Sequence, residues 1–333
     1  MIWLFPATAF SRNEGNVMAK QAKLLNQLWV DSGASYTFNV CTTAATDPVK
    51  GWQSLVELYE YLLGLADHRV ATWPLMSSPW PTVFITLTYL YLVSVGPKFM
   101  ANRKPLELKP LLLLYNASVA GLNLYIGLEL TLTSQQLDFS WTCEPVDYTL
   151  NPLALRVASA LWYEHFLPMM MVRVTYFTFV SISRWYYASK ALEMFDTVFF
   201  ILRKKEKQLT FLHVYHHSTM FGLWWIGVKY VAGGSSFLGA MFNCYVHVLM
   251  YTYYFLAAIG PSMRPYLWWK KYLTIIQMLQ FLFALIMGIN ALHVGCDFPM
   301  WMQYSANAYM VSFLLLFGRY FYREYCEKRK KIH

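Results

Sequence analysis

The stretch LHVYHHS, from Leu212 to Ser218, places three histidines at the head of an apolar run that extends from Met220 to Val228. On an α-helix, His213, His216 and His217 stand at positions i, i+3 and i+4, so their imidazoles share one face within a single turn. Ionisable groups inside a membrane segment are costly and usually functional. The pattern therefore favours a site built on one membrane helix over three unrelated core histidines.

The composition points to an all-α polytopic membrane protein. The chain is 57% hydrophobic and 14% charged, whereas about a quarter of the residues of a soluble globular domain are charged. The net charge of +9 lies mainly in short loops, which indicates membrane orientation and not nucleic-acid binding.

Seven regions are long and apolar enough to cross a bilayer, which requires about 20 residues. They lie near 80–97, 111–133, within 154–202, and at 212–230, 236–259, 272–293 and 303–322. Polar residues interrupt several of them, which favours a bundle with a polar interior. Basic loops follow the first, third and fifth crossings, and the chain ends in a basic segment, so the positive-inside rule predicts a luminal N-terminus and a cytosolic C-terminus.

This topology divides the chain into three parts. Residues 1–76 form a luminal tail with a helix at the interface near 54–65, residues 77–322 form the membrane domain, and 323–333 form a basic cytosolic tail. Lys330 and Lys331 resemble a dilysine retrieval signal of endoplasmic-reticulum membrane proteins. Cys143 and Cys296 fall in luminal loops, where position alone leaves open a disulfide or two free thiols.

A second polar group lies in the third crossing, where Lys190, Glu193, Asp196 and Thr197 recur at helical spacing. One interpretation is a structural ion pair between Lys190 and Glu193. Asp196 is the functional candidate, because a carboxylate beside a histidine can fix the tautomer of the imidazole.

The fifth and sixth crossings contribute further polar side chains. In the fifth, Asn243, His247 and Tyr251 follow one another at i, i+4 spacing, so a fourth imidazole can face the first three. Gln277 and Gln280 lie in the sixth crossing and would contact substrate or form interhelical hydrogen bonds only.

Two kinds of chemistry suit these residues. Three histidines can hold one zinc ion. Alternatively, histidine can act as nucleophile or base in acyl transfer, with Asn243 and Tyr251 as donors to the developing oxyanion.

Four motifs carry a resemblance to the very-long-chain fatty acid elongase family. They are Lys190-x-x-Glu193-x-x-Asp196-Thr197, His213-x-x-His216-His217, Asn243-x-x-x-His247-x-x-Met250-Tyr251 and Thr274-x-x-Gln277-x-x-Gln280. The resemblance implies a seven-helix protein of the endoplasmic reticulum in which six helices enclose an acyl tunnel. It also implies condensation of a long-chain acyl-CoA with malonyl-CoA to give 3-oxoacyl-CoA, CO2 and CoA.

The resemblance further implies a role for each motif. His216 would take the acyl group as an acyl-imidazole, supported by His213 and His217, while His247 positions malonyl-CoA and Asn243 donates a hydrogen bond. The other candidate substrate-binding residues are Lys190, Glu193, Tyr251, Gln277 and Gln280 in the motifs, and Lys204, Lys205, Lys270 and Lys271 for the CoA phosphates.

Several further expectations complete the family interpretation. It implies a Cys143–Cys296 disulfide and no cofactor besides the co-substrate malonyl-CoA. The expected partners are the two acyl-CoA substrates, the lipid bilayer and the reductases and dehydratase of the elongation cycle, with no nucleic acid; a homo-oligomer is consistent with the sequence. A zinc-dependent membrane hydrolase and a seven-helix transporter or receptor are the alternatives.

One segment departs from the family pattern. Residues Tyr163–Arg184 separate Ala160-Leu161-Trp162 from Trp185-Tyr186-Tyr187, which family members join. The loop before this region has no basic residue and the loop after it is basic, so an odd number of crossings connects them, and the short span allows one.

Overall fold

The computed structural model describes residues 48–71, 73–149 and 185–327, and within these ranges the regular structure is helical. The α-helices are α1 (Pro48–Gly64), α2 (Trp80–Met100), α3 (Lys109–Gln136), α4 (Trp185–Glu193), α5 (Phe195–Leu202), α6 (Phe211–Tyr230), α7 (Ser236–Ile259), α8 (Lys270–His293) and α9 (Met300–Phe321). α2, α3 and α6 to α9 lie at six of the seven segments predicted from hydropathy, α4 and α5 lie at the end of the predicted region 154–202, and α1 overlaps the helix predicted near 54–65. The insertion at 163–184, Lys330 and Lys331 lie outside the described residues.

Three of the described helices, α2, α3 and α8, are long and apolar enough to cross a membrane. A helix satisfies its own backbone hydrogen bonds, which is a condition for lying in hydrocarbon. On α2, a stripe of large apolar side chains at i, i+4, i+7 and i+11 is more than half exposed: Trp80, Phe84, Leu87 and Tyr91. Such a stripe is suited to contact with lipid.

The described helices pack in a closed order around the site. α3 packs against α7, α7 against α8, α8 against α9, α9 against α6, α6 against α4, and α4 against α3. α2 packs outside this order, against α6 and α5. The interior of the bundle is therefore bounded by several helices, each of which can place side chains in it.

The helical segment that carries Lys190, Glu193 and Asp196 is divided at Met194, which separates α4 from α5. The amide of Met194 bonds Ala191 O at 3.3 Å, and the amide of Thr197 bonds Met194 O at 3.1 Å. These i to i+3 bonds tighten the chain locally. The break lies between Glu193 and Asp196, and it rotates these two carboxylates toward different partners.

The end of the bundle opposite the start of α6 is held by covalent and polar contacts. The predicted disulfide between Cys143 and Cys296 is present. The buried Arg69 guanidinium donates to Asp67 and to Ala232 O at 2.8 Å, and it also donates to Asp147 O. Four separate connecting segments, which contain Arg69, Cys143, Ala232 and Cys296, are thereby fixed to one another.

Candidate functional site

The histidines of the LHVYHHS stretch are placed by the start of α6. Thr210 caps this helix, accepting a hydrogen bond from His213 N at 3.2 Å, as a threonine at this position commonly does. The ring centroids of His213 and His217 are 4.4 Å apart, and those of His216 and His217 are 5.0 Å apart. The prediction of one shared face is correct.

His247 of α7 faces this cluster, with its ring centroid 6.2 Å from that of His216. Its Nδ1 lies 3.0 Å from Glu193 Oε1. An ionised carboxylate accepts only, so Nδ1 carries the proton and Nε2 is left as an acceptor. The carboxylate that orients a histidine is therefore Glu193, and the expectation that Asp196 does so is wrong.

Lys190 and Glu193 form the structural ion pair that the sequence left open. Lys190 Nζ donates to both carboxylate oxygens, at 2.9 and 3.0 Å, and the two residues are 2% and 0% exposed. Neither lines either of the two cavities described below, so their predicted role in direct substrate binding stays a prediction. Their side chains are committed to each other, to His247 and to Asn243.

Asp196 and Thr197 have other partners. Tyr251 OH donates to Asp196 Oδ2 at 2.7 Å. Thr197 Oγ1 is 2.7 Å from His213 Nε2 and 3.1 Å from Tyr89 OH. Thr197 therefore orients His213. Tyr251 is fully buried and lines neither of the two cavities described below, so its predicted role in substrate binding stays a prediction.

Asn243 accepts two hydrogen bonds through its side-chain oxygen. Tyr186 OH donates to Oδ1 at 2.8 Å, and Lys190 Nζ donates at 3.0 Å. Because both contacts use Oδ1, the amide Nδ2 is the group available for donation, as the predicted role requires. Tyr186 was missed from the sequence, although it lies four residues before Lys190 on the same helix face.

Two described cavities meet at the histidines. The first, of about 720 Å³, is lined by His213, His217, His247 and Asp196. The second, of about 430 Å³, is lined mainly by apolar and aromatic side chains of α6 to α9. Four residues line both cavities: His216, Asn243, Gln280 and Phe281.

The basic end of the first cavity, formed by Arg203, Lys205, Lys207 and Lys270, lies beside the start of α6. Lys205 and Lys270 are thus placed as predicted, and Gln277 lines the same cavity. Two predicted phosphate ligands are not in its lining. Lys204 donates to Ala101 O at 2.7 Å, and the Lys271 ammonium lies 5.6 Å from the Phe321 ring centroid.

Among residues 48–71, 73–149 and 185–327, the His, Cys, Asp and Glu side chains form no group of three placed to hold a metal ion. The four histidines instead contact one another, Thr197 and Glu193. Such an arrangement can supply a neutral imidazole nucleophile, a second imidazole and an amide donor around one reacting carbon.

These features define a helical membrane protein with a buried polyhistidine site between a polar and an apolar cavity. Comparison with known families makes the class specific, because residues 74–333 match the ELO family, described as the GNS1/SUR4 family. The chain belongs to this family.

Relatives agree with this assignment. The chain is 44% identical over 301 residues to human very long chain fatty acid elongase 4, which covers 90% of this chain and 87% of that protein. It is 39% identical over 285 residues to human very long chain fatty acid elongase 1, covering 84% and 93%. It is 38% identical over 284 residues to Drosophila melanogaster elongase 7, covering 84% and 78%.

Proposed function

We propose that this protein is the condensing enzyme of very-long-chain fatty acid elongation, a 3-oxoacyl-CoA synthase. The observation that carries the proposal is the position of His216 where the two cavities meet. A thioester has a polar, phosphate-bearing half and an apolar acyl half. With CoA in the cavity that has a basic end and the acyl chain in the apolar one, the thioester carbonyl lies beside this imidazole.

In the first step, a neutral His216 nitrogen attacks the acyl-CoA carbonyl. The C–S bond breaks, the departing CoA thiolate takes up the proton that the other imidazole nitrogen loses, and a neutral acyl-imidazole forms. The Asn243 amide is close enough to the junction to donate to the oxyanion that develops on the carbonyl oxygen. Imidazole is a neutral leaving group, so the intermediate remains a reactive acyl donor.

In the second step, malonyl-CoA occupies the first cavity. Loss of CO2 leaves an enolate whose carbon attacks the acyl-imidazole carbonyl and forms the new C–C bond of the 3-oxoacyl-CoA. The C–N bond to His216 breaks, and the imidazole takes up one proton from solvent as it leaves, so that it departs neutral. His247 can position the malonyl group by donating from Nε2 once that nitrogen takes up a proton, because the Glu193 carboxylate at Nδ1 stabilises the resulting imidazolium. Lys205 and Lys270 provide cations for the CoA phosphates.

The same proposal covers the organisation of the whole protein. It includes seven crossings, a continuous acyl tunnel formed by the two cavities, and the domain division at 76 and 322. It places the protein in the endoplasmic reticulum with a luminal N-terminus, a cytosolic C-terminus and retrieval through Lys330 and Lys331. It includes no cofactor, and the elongation-cycle reductases and dehydratase are its functional partners. The closed packing order of the described helices supports the tunnel.

The decisive experiment measures incorporation of labelled malonyl-CoA into fatty acyl products by microsomes expressing this chain. We expect His216→Ala to lower the rate at least about 10³-fold, as expected for loss of a nucleophile. His293→Ala provides the control, since His293 is exposed at the end of α8. A deletion of Tyr163–Arg184 tests whether the insertion is tolerated. Absence of malonyl-dependent products from the wild-type and deletion proteins at every chain length would contradict the proposal.

A further inference from the structure

The apolar cavity contains a band of polar side chains about halfway along it. Trp224 of α6 and Gln303 and Asn307 of α9 all line this cavity. Among the described residues, Trp224 Nε1, Gln303 Oε1 and Asn307 Nδ2 are buried without a hydrogen-bond partner. An unpaired buried polar atom is costly, so three in one cavity call for an explanation.

The orientation of two of these side chains is fixed by neighbouring groups. Gln303 is 5% exposed, and its Nε2 donates to Phe298 O at 3.0 Å, which leaves the carbonyl oxygen as its unpaired end. Asn307 Oδ1 packs against Gly288 of α8, where a Cβ atom would collide with it. The amide Nδ2 is the atom of Asn307 that is buried without a partner.

The three side chains lie at a similar depth. Trp224 is eight residues past His216, or ~12 Å along the helix axis. On α9, Phe313 contacts the His216 ring, with centroids 5.5 Å apart. Asn307 and Gln303 precede Phe313 by six and ten residues, or ~9 and ~15 Å. Measured along either helix, the polar band is centred ~12 Å from His216.

The band matches the hydrogen-bonding capacity of a hydroxyl group. A hydroxyl has one donor hydrogen and two acceptor lone pairs, and the band offers one acceptor and two donors. Gln303 and Asn307 are one turn apart, with Cβ atoms roughly 5–6 Å apart, so one oxygen between them can reach both. A water molecule bound at the band could form the same hydrogen bonds. In that case the enzyme would prefer acyl chains without a hydroxyl group.

We propose that this band is a subsite for a hydroxyl group on the acyl chain, so that the enzyme accepts acyl-CoAs hydroxylated in mid-chain. The hydroxyl donates to Gln303 Oε1 and accepts from Asn307 Nδ2, with Trp224 Nε1 as the second donor. This inference rests on the proposed elongase function and adds to it the chemical class of one substrate.

The test compares kcat/KM for acyl-CoAs of one length that differ only in hydroxyl position, each relative to the plain saturated chain. In the wild type, we expect this ratio to be largest when the hydroxyl lies ~12 Å from the thioester. Asn307→Leu and Gln303→Leu should each lower that ratio about 10-fold, as expected when a hydroxyl loses a partner in an apolar cavity. Met302→Leu, an apolar exchange in the same lining, should leave it unchanged.

Elongation of the plain chain in the same preparations keeps the two proposals separate. No elongation of any chain would contradict the proposed function itself. If plain chains are elongated but the ratio has no maximum, or falls equally in Met302→Leu, the hydroxyl subsite is wrong. Faster elongation of plain chains by the Leu variants, with an unchanged ratio, would identify a water site only and would also overturn the inference.

Discussion

At the scale of single residues, Glu193 joins the buried charges to the site. It accepts from Lys190 and contacts His247 Nδ1 while remaining 0% exposed. We expect Glu193→Gln to destabilise the protein by about 3–5 kcal/mol, since an unpaired buried ammonium remains. Thermal unfolding in detergent, followed by a probe of helicity, measures this change.

The paired variant Lys190→Met with Glu193→Gln is the control for that prediction. Removal of both charges should recover much of the lost stability, because no uncompensated charge remains. It should not restore elongation, since His247 would still lack the carboxylate that holds its tautomer. Equal stability of Glu193→Gln and wild type would show that this ion pair contributes nothing.

Thr197 offers a second test at this scale. Thr197→Val keeps the shape of the side chain but removes the hydroxyl that contacts His213 Nε2 and Tyr89 OH. We expect a loss of roughly 10–100-fold in kcat, as is typical when the partner that orients a functional histidine is removed, with a smaller change in KM. Steady-state elongation kinetics measure both. Thr86→Val, whose hydroxyl donates to a carbonyl of its own helix, should behave as wild type.

At the scale of helices, the contact between α3 and α7 depends on a glycine. A Cβ atom at Gly127 would lie 3.3 Å from the Tyr245 ring, next to the 2.7 Å contact between Thr131 Oγ1 and Tyr245 OH. Gly127→Val should therefore destabilise the bundle by about 1–3 kcal/mol through overpacking. Gly121→Val, on the same helix with open space around it, is the matched control, and both are compared by thermal unfolding in detergent.

The helices and the histidine cluster were predictable, because apolar length and i, i+3, i+4 spacing are local properties of the sequence. The hydrogen-bond partners of Glu193 and Asp196 were not predictable in this way. Whether Glu193 or Asp196 faces a histidine depends on the helix break at Met194. No glycine or proline lies at this position, so the sequence gives no signal from which the break could be predicted. Likewise, Lys204 follows α5 and Lys271 lies in the first turn of α8, both in basic stretches of the sequence, but their contacts with Ala101 O and Phe321 depend on tertiary packing.

At the scale of the whole molecule, the Cys143–Cys296 disulfide joins segments 153 residues apart in sequence. Closing so long a loop restricts the unfolded chain, and loss of a native disulfide typically costs about 2–5 kcal/mol. Cys143→Ser and Cys296→Ser, singly and together, should lower the unfolding temperature by the same amount. Additive losses in the double variant would contradict a stabilising bridge. Cys326→Ser, at a free and partly exposed cysteine, is the control.

The helix break at Met194 has a consequence for how the bundle assembles. Apolar side chains slide past one another in lipid with little preference, because hydrocarbon surrounds every alternative alignment equally well. Glu193 and Asp196 meet His247 and Tyr251 on successive turns of α7. A slip of one turn in either direction would break both hydrogen bonds, so this pair of contacts encodes the vertical register of the two helices.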